Sequence, residues 1–187
     1  QLRALGMQTW GGATAMTLDL AGWRPPRTLP PVERGVTCGR VASPRDEHEA
    51  LEVICEVFYV AAAPMARWTI ENPAFSVYLA RQNGETVAAL AILRHAGVAG
   101  VYHVATLPHA RRRGIAGALL AGALEEARDA GCEMAALTAT PEARRLYESL
   151  GFGACGVIEQ WAPGRELSLA LMHGRPLPQR PLESFWD

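Results

Sequence analysis

"VATLPHARRRGIAGALL", residues 104–120, decides how this chain is read. Val104 to Leu107 is a strand-like run, and from Ile115 onward small and apolar residues take up helical spacing. Between them lie Arg111, Arg112 and Arg113, followed by Gly114. A strand–turn–helix passage leaves unpaired backbone N–H groups and the positive end of a dipole at the helix start. A phosphate satisfies several such donors at once, and a guanidinium can add two parallel bonds to its oxygens. A side chain at Gly114 would block a close anion, and Ala116 and Gly117 keep the next positions small. The turn reads as a diphosphate cradle; the competing reading is a surface turn solvated by its arginines. It is not a dinucleotide fingerprint, and a Walker lysine is excluded because all 18 basic residues are arginine.

Bulk properties leave room for such a local site. The chain has 187 residues, 49% hydrophobic and 20% charged, which is enough for one packed domain with an appendage. A net charge of −1 gives no case for nucleic acid or a membrane surface as partner. The absence of lysine also excludes a Schiff-base mechanism. Arginine-only basicity with abundant Ala, Gly and Pro points to a GC-rich, bacterial source. Cys38, Cys55, Cys132 and Cys155 form no C-x-x-C pair and have no histidine at zinc-finger spacing. Free thiols in a cytoplasmic protein, with no metal site, are the expectation. No apolar run reaches membrane-spanning length. The opening Gln1 raises the expectation of further chain upstream.

Along the chain, residues 1–35 stand apart. "QLRALGM" reads as a helix end stopped by Gly6, "ATAMTLDL" (13–20) as a strand, and "RPPRTLPP" (24–31) as a linker. "LRALGM" resembles "YESLGF" (147–152), which suggests that residues 1–23 are the tail of an upstream, degenerate copy of the same unit. A strand over 36–42 is followed by Ser43-Pro44, a cap and a first-turn proline, with Asp46 and Glu47 in the first turn. A second short helix is predicted over 65–70. Asn83-Gly84 joins "FSVYLARQ" to "TVAALAILR" as a hairpin. Further strands are predicted over 101–107 and 132–140, with helices over 115–130 and from Pro141. The tail, 166–187, is Pro-rich and reads as irregular, with Phe185 and Trp186 docking elsewhere. The order gives an α/β mixed sheet with helices on its faces.

The arginine–glycine turn, followed one helix later by "TATPEARRLYESLGF", resembles the GNAT (GCN5-related N-acetyltransferase) family. Its [QR]-x-x-G-x-[GA] motif falls on Arg111, Gly114 and Ala116. Its N-x-x-A-x-x-L-Y-x-x-x-G-F pattern falls on Thr140, Ala143, Leu146, Tyr147, Gly151 and Phe152. Thr140 stands where the family usually has Asn, and Ala116 where Gly is commoner. The resemblance covers about residues 36–162. It sets a GNAT domain at 36–165 between the extension, 1–35, and the tail, 166–187. It implies a central, mixed, mostly antiparallel sheet flanked by helices.

The resemblance also implies an acetyl-CoA-dependent transfer to a primary amine of a small molecule or peptide, by direct attack. The pantetheine arm would pair with the backbone of Val104, Ala105 and Thr106. The pyrophosphate would sit on the N–H groups of Arg112, Arg113, Gly114, Ile115, Ala116 and Gly117, with Thr140 as a further contact. Tyr147 would protonate the leaving thiolate. The amine must lose a proton, and His103 is the candidate base, with Glu71 second. Strand alternation predicts that His103 faces away from Tyr102 and Val104. Phe58, Tyr59, Met65 and Trp68 either wall an acceptor pocket or belong to the core. A homodimer fits this reading, whereas nucleic acid and membrane do not. The alternative is a GNAT-fold module that binds acetyl-CoA for regulation or assembly without catalysis.

Overall fold

A computed structural model of the protein describes residues 2–59, 61–62, 65, 69 and 71–163. Among these, seven strands form one sheet: β1 (Met7–Asp19), β2 (Val36–Arg40), β3 (Phe75–Gln82), β4 (Glu85–His95), β5 (Val98–Thr106), β6 (Met134–Ala139) and β7 (Gly153–Pro163). Their order across the sheet is β2-β3-β4-β5-β6-β1-β7. Every neighbouring pair is antiparallel except β5–β6, so the sheet is mixed and mostly antiparallel, as the sequence implies.

Helix α1 (Pro44–Phe58) covers one face. Ser43 Oγ accepts from Asp46 N at 3.2 Å, so the cap expected from Ser43-Pro44 is formed. Ala50, Val53 and Ile54 pack on Phe75, Val77, Leu79, Ala89, Ala91, Ala105 and Leu107. Its first turns are tied to the sheet by charge. Arg81 reaches Asp46 and Glu49, each at 2.6 Å, and the Thr86 hydroxyl donates to Glu49 at 2.6 Å. The Arg81 bond holds the Asp46 carboxyl down at about 2; the Thr86 bond, with Arg45 and Arg81, does the same for Glu49.

The opposite face carries α2 (Ile115–Asp129) and the short α3 (Arg144–Ser149). Ile115, Leu119, Leu120 and Leu124 bury against β3, β4, β5 and β6, together with Tyr147, Leu150 and Phe152. The helix predicted from Pro141 begins instead at Arg144. Thr140 O accepts from both Ala143 N and Arg144 N at 3.1 Å, which makes residues 141–143 a tight turn. Of the helix predicted over 65–70, Met65 and Thr69 are described, both helical, with the Thr69 hydroxyl donating to Met65 O at 2.8 Å. Trp68 and the tail from residue 164, with Phe185 and Trp186, lie outside the described residues.

Residues 1–35, set apart by sequence, contribute an interior strand. β1 pairs with β6 from Thr14↔Ala139 to Asp19↔Met134, and with β7 along nearly its whole length. Met16, Leu18 and Leu20 are buried in the same core as α2. The linker then runs back along α2. The Trp23 indole donates to Leu150 O at 2.9 Å, and Arg128 donates to Trp23 O at 2.7 Å. The strand expected over 13–20 starts earlier, at Met7: a register shift leaves Trp10 as the extra residue between Thr9 and Gly11, and Gly11 and Gly12 pair with Gln160 and Glu159.

Candidate active site

β5 and β6 run parallel for three register pairs only, Val98↔Met134, Ala99↔Ala135 and Gly100↔Ala136. Beyond Gly100 the strands part, while β5 continues to Thr106 and β6 to Ala139. The result is a wedge in which β5 no longer pairs with β6. Leu107 N–H turns toward β4, 2.9 Å from Val87 O, so alternation turns the backbone of Thr106 and Val104 toward the wedge. Ala105, between them, pairs with Ala89 on β4. Val104, Ala105 and Thr106 thus lie along the opening, with the Val104 backbone and the Thr106 N–H turned toward it, while the Thr106 carbonyl is taken by Arg111 Nε.

The wedge leads into the arginine–glycine turn. A 3₁₀ turn, Pro108–Ala110, delivers the chain to Arg111, and Gly114 caps α2 with φ 75°. The three arginines have separate duties. Arg111 Nε donates to Thr106 O at 3.0 Å and pins the strand end to the turn. Arg113 is bound to the Glu33 carboxylate at 3.1 Å. Arg112 is exposed at φ 65°. The N–H groups of Arg112, Arg113, Gly114, Ile115, Ala116 and Gly117 find no acceptor among the described residues. Six consecutive free donors at the positive end of a helix fit an anion with several oxygens.

Gly114 is required for a reason the sequence did not display. Beyond its left-handed backbone, a Cβ there would stand 2.9 Å from Pro31 O and 3.0 Å from Pro30 O. The linker itself passes over this residue.

Tyr147 lies on the α2 face, buried, with its ring edge-on to Phe152 at 6.0 Å. Burial pushes its hydroxyl up to about 12, so the phenol keeps its proton through the physiological range. Thr140 is exposed at the end of β6; the Glu142 carboxyl is lowered first by Glu142's own backbone N–H and then by the Thr140 side chain, and the Thr140 carbonyl opens the turn into α3.

His103 departs from the predicted alternation. The β4–β5 register shifts between Ala89↔Ala105 and Ala91↔Tyr102, so His103 and Val104 together oppose Leu90, and His103 takes φ 52°. The bulge turns its ring to the α1 side, alongside Tyr102 (6.2 Å) and edge-on to Phe58 (5.9 Å). Val104 instead packs with the α2 core. A non-glycine residue in the left-handed region is strained, and such strain collects at functional sites. Burial pushes the His103 imidazole below its ordinary value, so it is neutral at pH 7. Tyr147 and His103 therefore belong to opposite faces of the sheet. Phe58 is 44% exposed and Tyr59 94% exposed, so Tyr59 is not core. Glu71 is exposed. Among the described residues no group of His, Cys, Asp or Glu could hold a metal, and no helix is long and apolar enough to cross a membrane.

This parted sheet with a donor-rich turn at its mouth is an α/β frame open to an extended, anion-bearing ligand. A profile described as "Acetyltransferase (GNAT) family" matches residues 44–152, and the chain belongs to that family. A GCN5-related N-acetyltransferase from Kribbella flavida is 25% identical, with 89% of this chain and 64% of that one covered and a TM-score of 0.68. A GCN5-related N-acetyltransferase from Sphaerobacter thermophilus is 22% identical, covering 87% of this chain and 56% of that one, with a TM-score of 0.70. The ribosomal-protein-S18-alanine N-acetyltransferase of Escherichia coli is 20% identical, covering 68% and 93%, with a TM-score of 0.58. This chain thus spans less than two thirds of the length of the first two relatives. No protein of curated function matches it.

Proposed function

We propose that this chain transfers the acetyl group of acetyl-CoA to a primary amine of a small molecule or peptide. The observation that carries the reading is the wedge between β5 and β6 opening onto the unaccepted N–H run from Arg112 to Gly117. An extended, diphosphate-bearing thioester fits that shape: Val104 and Thr106 would pair with its amide arm, and Arg112 to Gly117 would hold its phosphates. When bound, acetyl-CoA supplies the activated acyl group.

The protein's share is positioning and proton handling. Neutral His103, beside Phe58 on the α1 side, accepts a proton from the acceptor ammonium at a ring nitrogen, directly or through water. Tyr147 keeps its proton and gives a hydrogen bond to the departing sulfur. Full transfer from a phenol at about 12 to a thiol near 8.5 would be uphill by about 5 kcal/mol. Tyr147 is therefore first a donor, and an acid only as charge builds on the sulfur. The proposed setting is cytoplasmic and bacterial, in keeping with composition and free thiols. Residues 1–23 are proposed to end an upstream copy of the unit. The corner Leu2–Leu5, Gly6, Met7 matches the corner Arg144–Ser149, Gly151, Gly153 in form, both glycines having positive φ.

The test is calorimetric titration of acetyl-CoA followed by an amine panel, with Ala116→Asp as control. Asp at a helix start favours the fold while repelling an anion. Wild-type binding that the control abolishes, together with turnover, supports the enzyme. Binding without turnover on any amine selects the regulatory module instead. Undiminished binding in the control removes the cradle.

A further inference from the structure

The linker that crosses Gly114 is anchored at two ends and loosely held between them. At one end Trp23 is bonded to Leu150 and Arg128. At the other, Gly35 O accepts from Asn83 N at 3.0 Å. Between Leu29 and Gly35 no backbone hydrogen bond ties the chain to the rest of the described residues. Pro30 and Pro31 have no N–H to give, and their carbonyl oxygens lie against Gly114 without accepting a bond. Leu29 Cδ2 comes to 3.8 Å of where a Gly117 Cβ would stand, beside Leu146 of α3. The remaining tie is Glu33. Its carboxylate takes Arg113 at 3.1 Å and the Gln82 amide at 2.8 Å, and Gln82 Oε1 also accepts from Arg113 at 3.3 Å.

We infer that residues 29–33 form a strap over the cofactor turn. Glu33 competes with the diphosphate of acetyl-CoA for Arg113, so that cofactor binding exchanges an internal carboxylate for a phosphate. This rests on the acetyl-CoA reading above. The physical case is one of sign, strength and place. Glu33 brings a negative charge to the side chain of Arg113, whose own N–H belongs to the open run. The pair is about half exposed on both sides, 42% for Arg113 and 50% for Glu33, so it is weak and easily exchanged. A doubly charged diphosphate that also meets the helix N–H groups is the stronger partner. Losing the ion pair releases Glu33 from Arg113 while Leu29 stays packed on the core, Gln82 still reaches Glu33 and both ends stay bonded, so the exchange does not unfold the core.

The experiment is calorimetric titration of acetyl-CoA into the full chain, as wild type, Glu33→Gln, Arg113→Gln and the double variant. Glu33→Gln removes the charge and keeps the shape. It is expected to bind about two- to fivefold more tightly, with the gain shrinking as salt is raised. Arg113→Gln is expected to bind more weakly, and adding Glu33→Gln to it to gain nothing. A Glu33→Gln variant that binds equally or more weakly overturns the strap and leaves the acetyltransferase reading standing. So does a gain that persists without Arg113, because the effect would then be a diffuse field. Failure of the wild type and Glu33→Gln alike to bind acetyl-CoA overturns both.

Discussion

Leu20→Ala measures how far residues 1–35 belong to the fold. Leu20 is 0% exposed, sits in the α2 core with Met16 and Leu18, and has its N–H bonded to Glu133 O at 2.8 Å. Truncating a fully buried leucine costs about 2–5 kcal/mol through lost transfer energy and the cavity left behind. In a domain of this size each kcal/mol lowers Tm by about 2–4 °C, so a fall of roughly 4–20 °C is expected. Thermal unfolding followed by circular dichroism, with urea titration for ΔG, reads it. Leu2→Ala, at a 41% exposed position in the first turn, is the control and should stay within about 0.5 kcal/mol of the parent. Removing residues 1–23 should go further: it strips β1 from between β6 and β7, uncovers both edges, and should give an aggregating chain. A Leu20→Ala protein that melts within about 2 °C of the parent would refute the reasoning, because the packing around Leu20 would then contribute almost nothing.

Tyr147→Phe should lower kcat by about a hundredfold while leaving acetyl-CoA affinity and Tm nearly unchanged; steady-state kinetics beside calorimetry checks this, and unaltered kcat would take the hydroxyl out of the chemistry. His103→Gln should cut kcat/KM and remove the fall in rate that occurs as the pH drops through the lowered His103 value, as read from a pH–rate profile. Because His103 is held below its ordinary value, its contribution to stability is complete above about pH 6.5 and is lost as the pH falls through its lowered folded value. Asp46 and Glu49, both drawn down to about 2, stabilise the fold fully above their ordinary carboxylate range and lose that stabilisation as the pH falls toward 2. An acid titration of Arg81→Met, which lacks their shared partner, should show a shallower loss over that window. Gly114→Glu is a poor probe of the phosphate turn, since its side chain would meet the Pro31 carbonyl; loss of Tm as well as binding is expected, unlike Ala116→Asp.

What the sequence displayed was local chemistry with a fixed spacing. The Ser43-Pro44 cap, the Asn83-Gly84 hairpin, the α2 stripe of Ile115, Leu119, Leu120 and Leu124, and the Arg-x-x-Gly-x-Ala turn all depend on neighbours within a few residues. All four are present in the structure. The partner of β1 was not legible. Pairing of Thr14 with Ala139 is a long-range choice, and nothing in "ATAMTLDL" specifies which sheet receives it. The start of β5 at Val98 was hidden because Ala96 takes a left-handed turn position usually given to Asn or Gly. Of the proposed site, the Arg-x-x-Gly-x-Ala turn was the legible part, because backbone donors and glycine leave a signature at a helix start. His103 was found as a residue and misplaced in direction, since a bulge inverts the face of everything after it. Glu33 gave no signal at all. A single acidic residue after two prolines reads as solvent-facing until the fold brings Arg113 to it.

The place of β1 has a consequence for how the molecule is made. Among the described residues it is the first strand, yet its two neighbours, β6 and β7, are the last. On the order of 100 residues of chain must emerge before Met134 arrives to meet Asp19, which at ribosomal speed takes about 5–20 s. Through that interval Met16, Leu18 and Leu20 have no core to enter, and a strand with two open edges waits beside the ribosome. Late closure of so distant a pairing makes for slow folding. Through that interval the chain is open to both the chaperones and the proteases of the host cell, and their balance sets how much of this protein reaches its final shape.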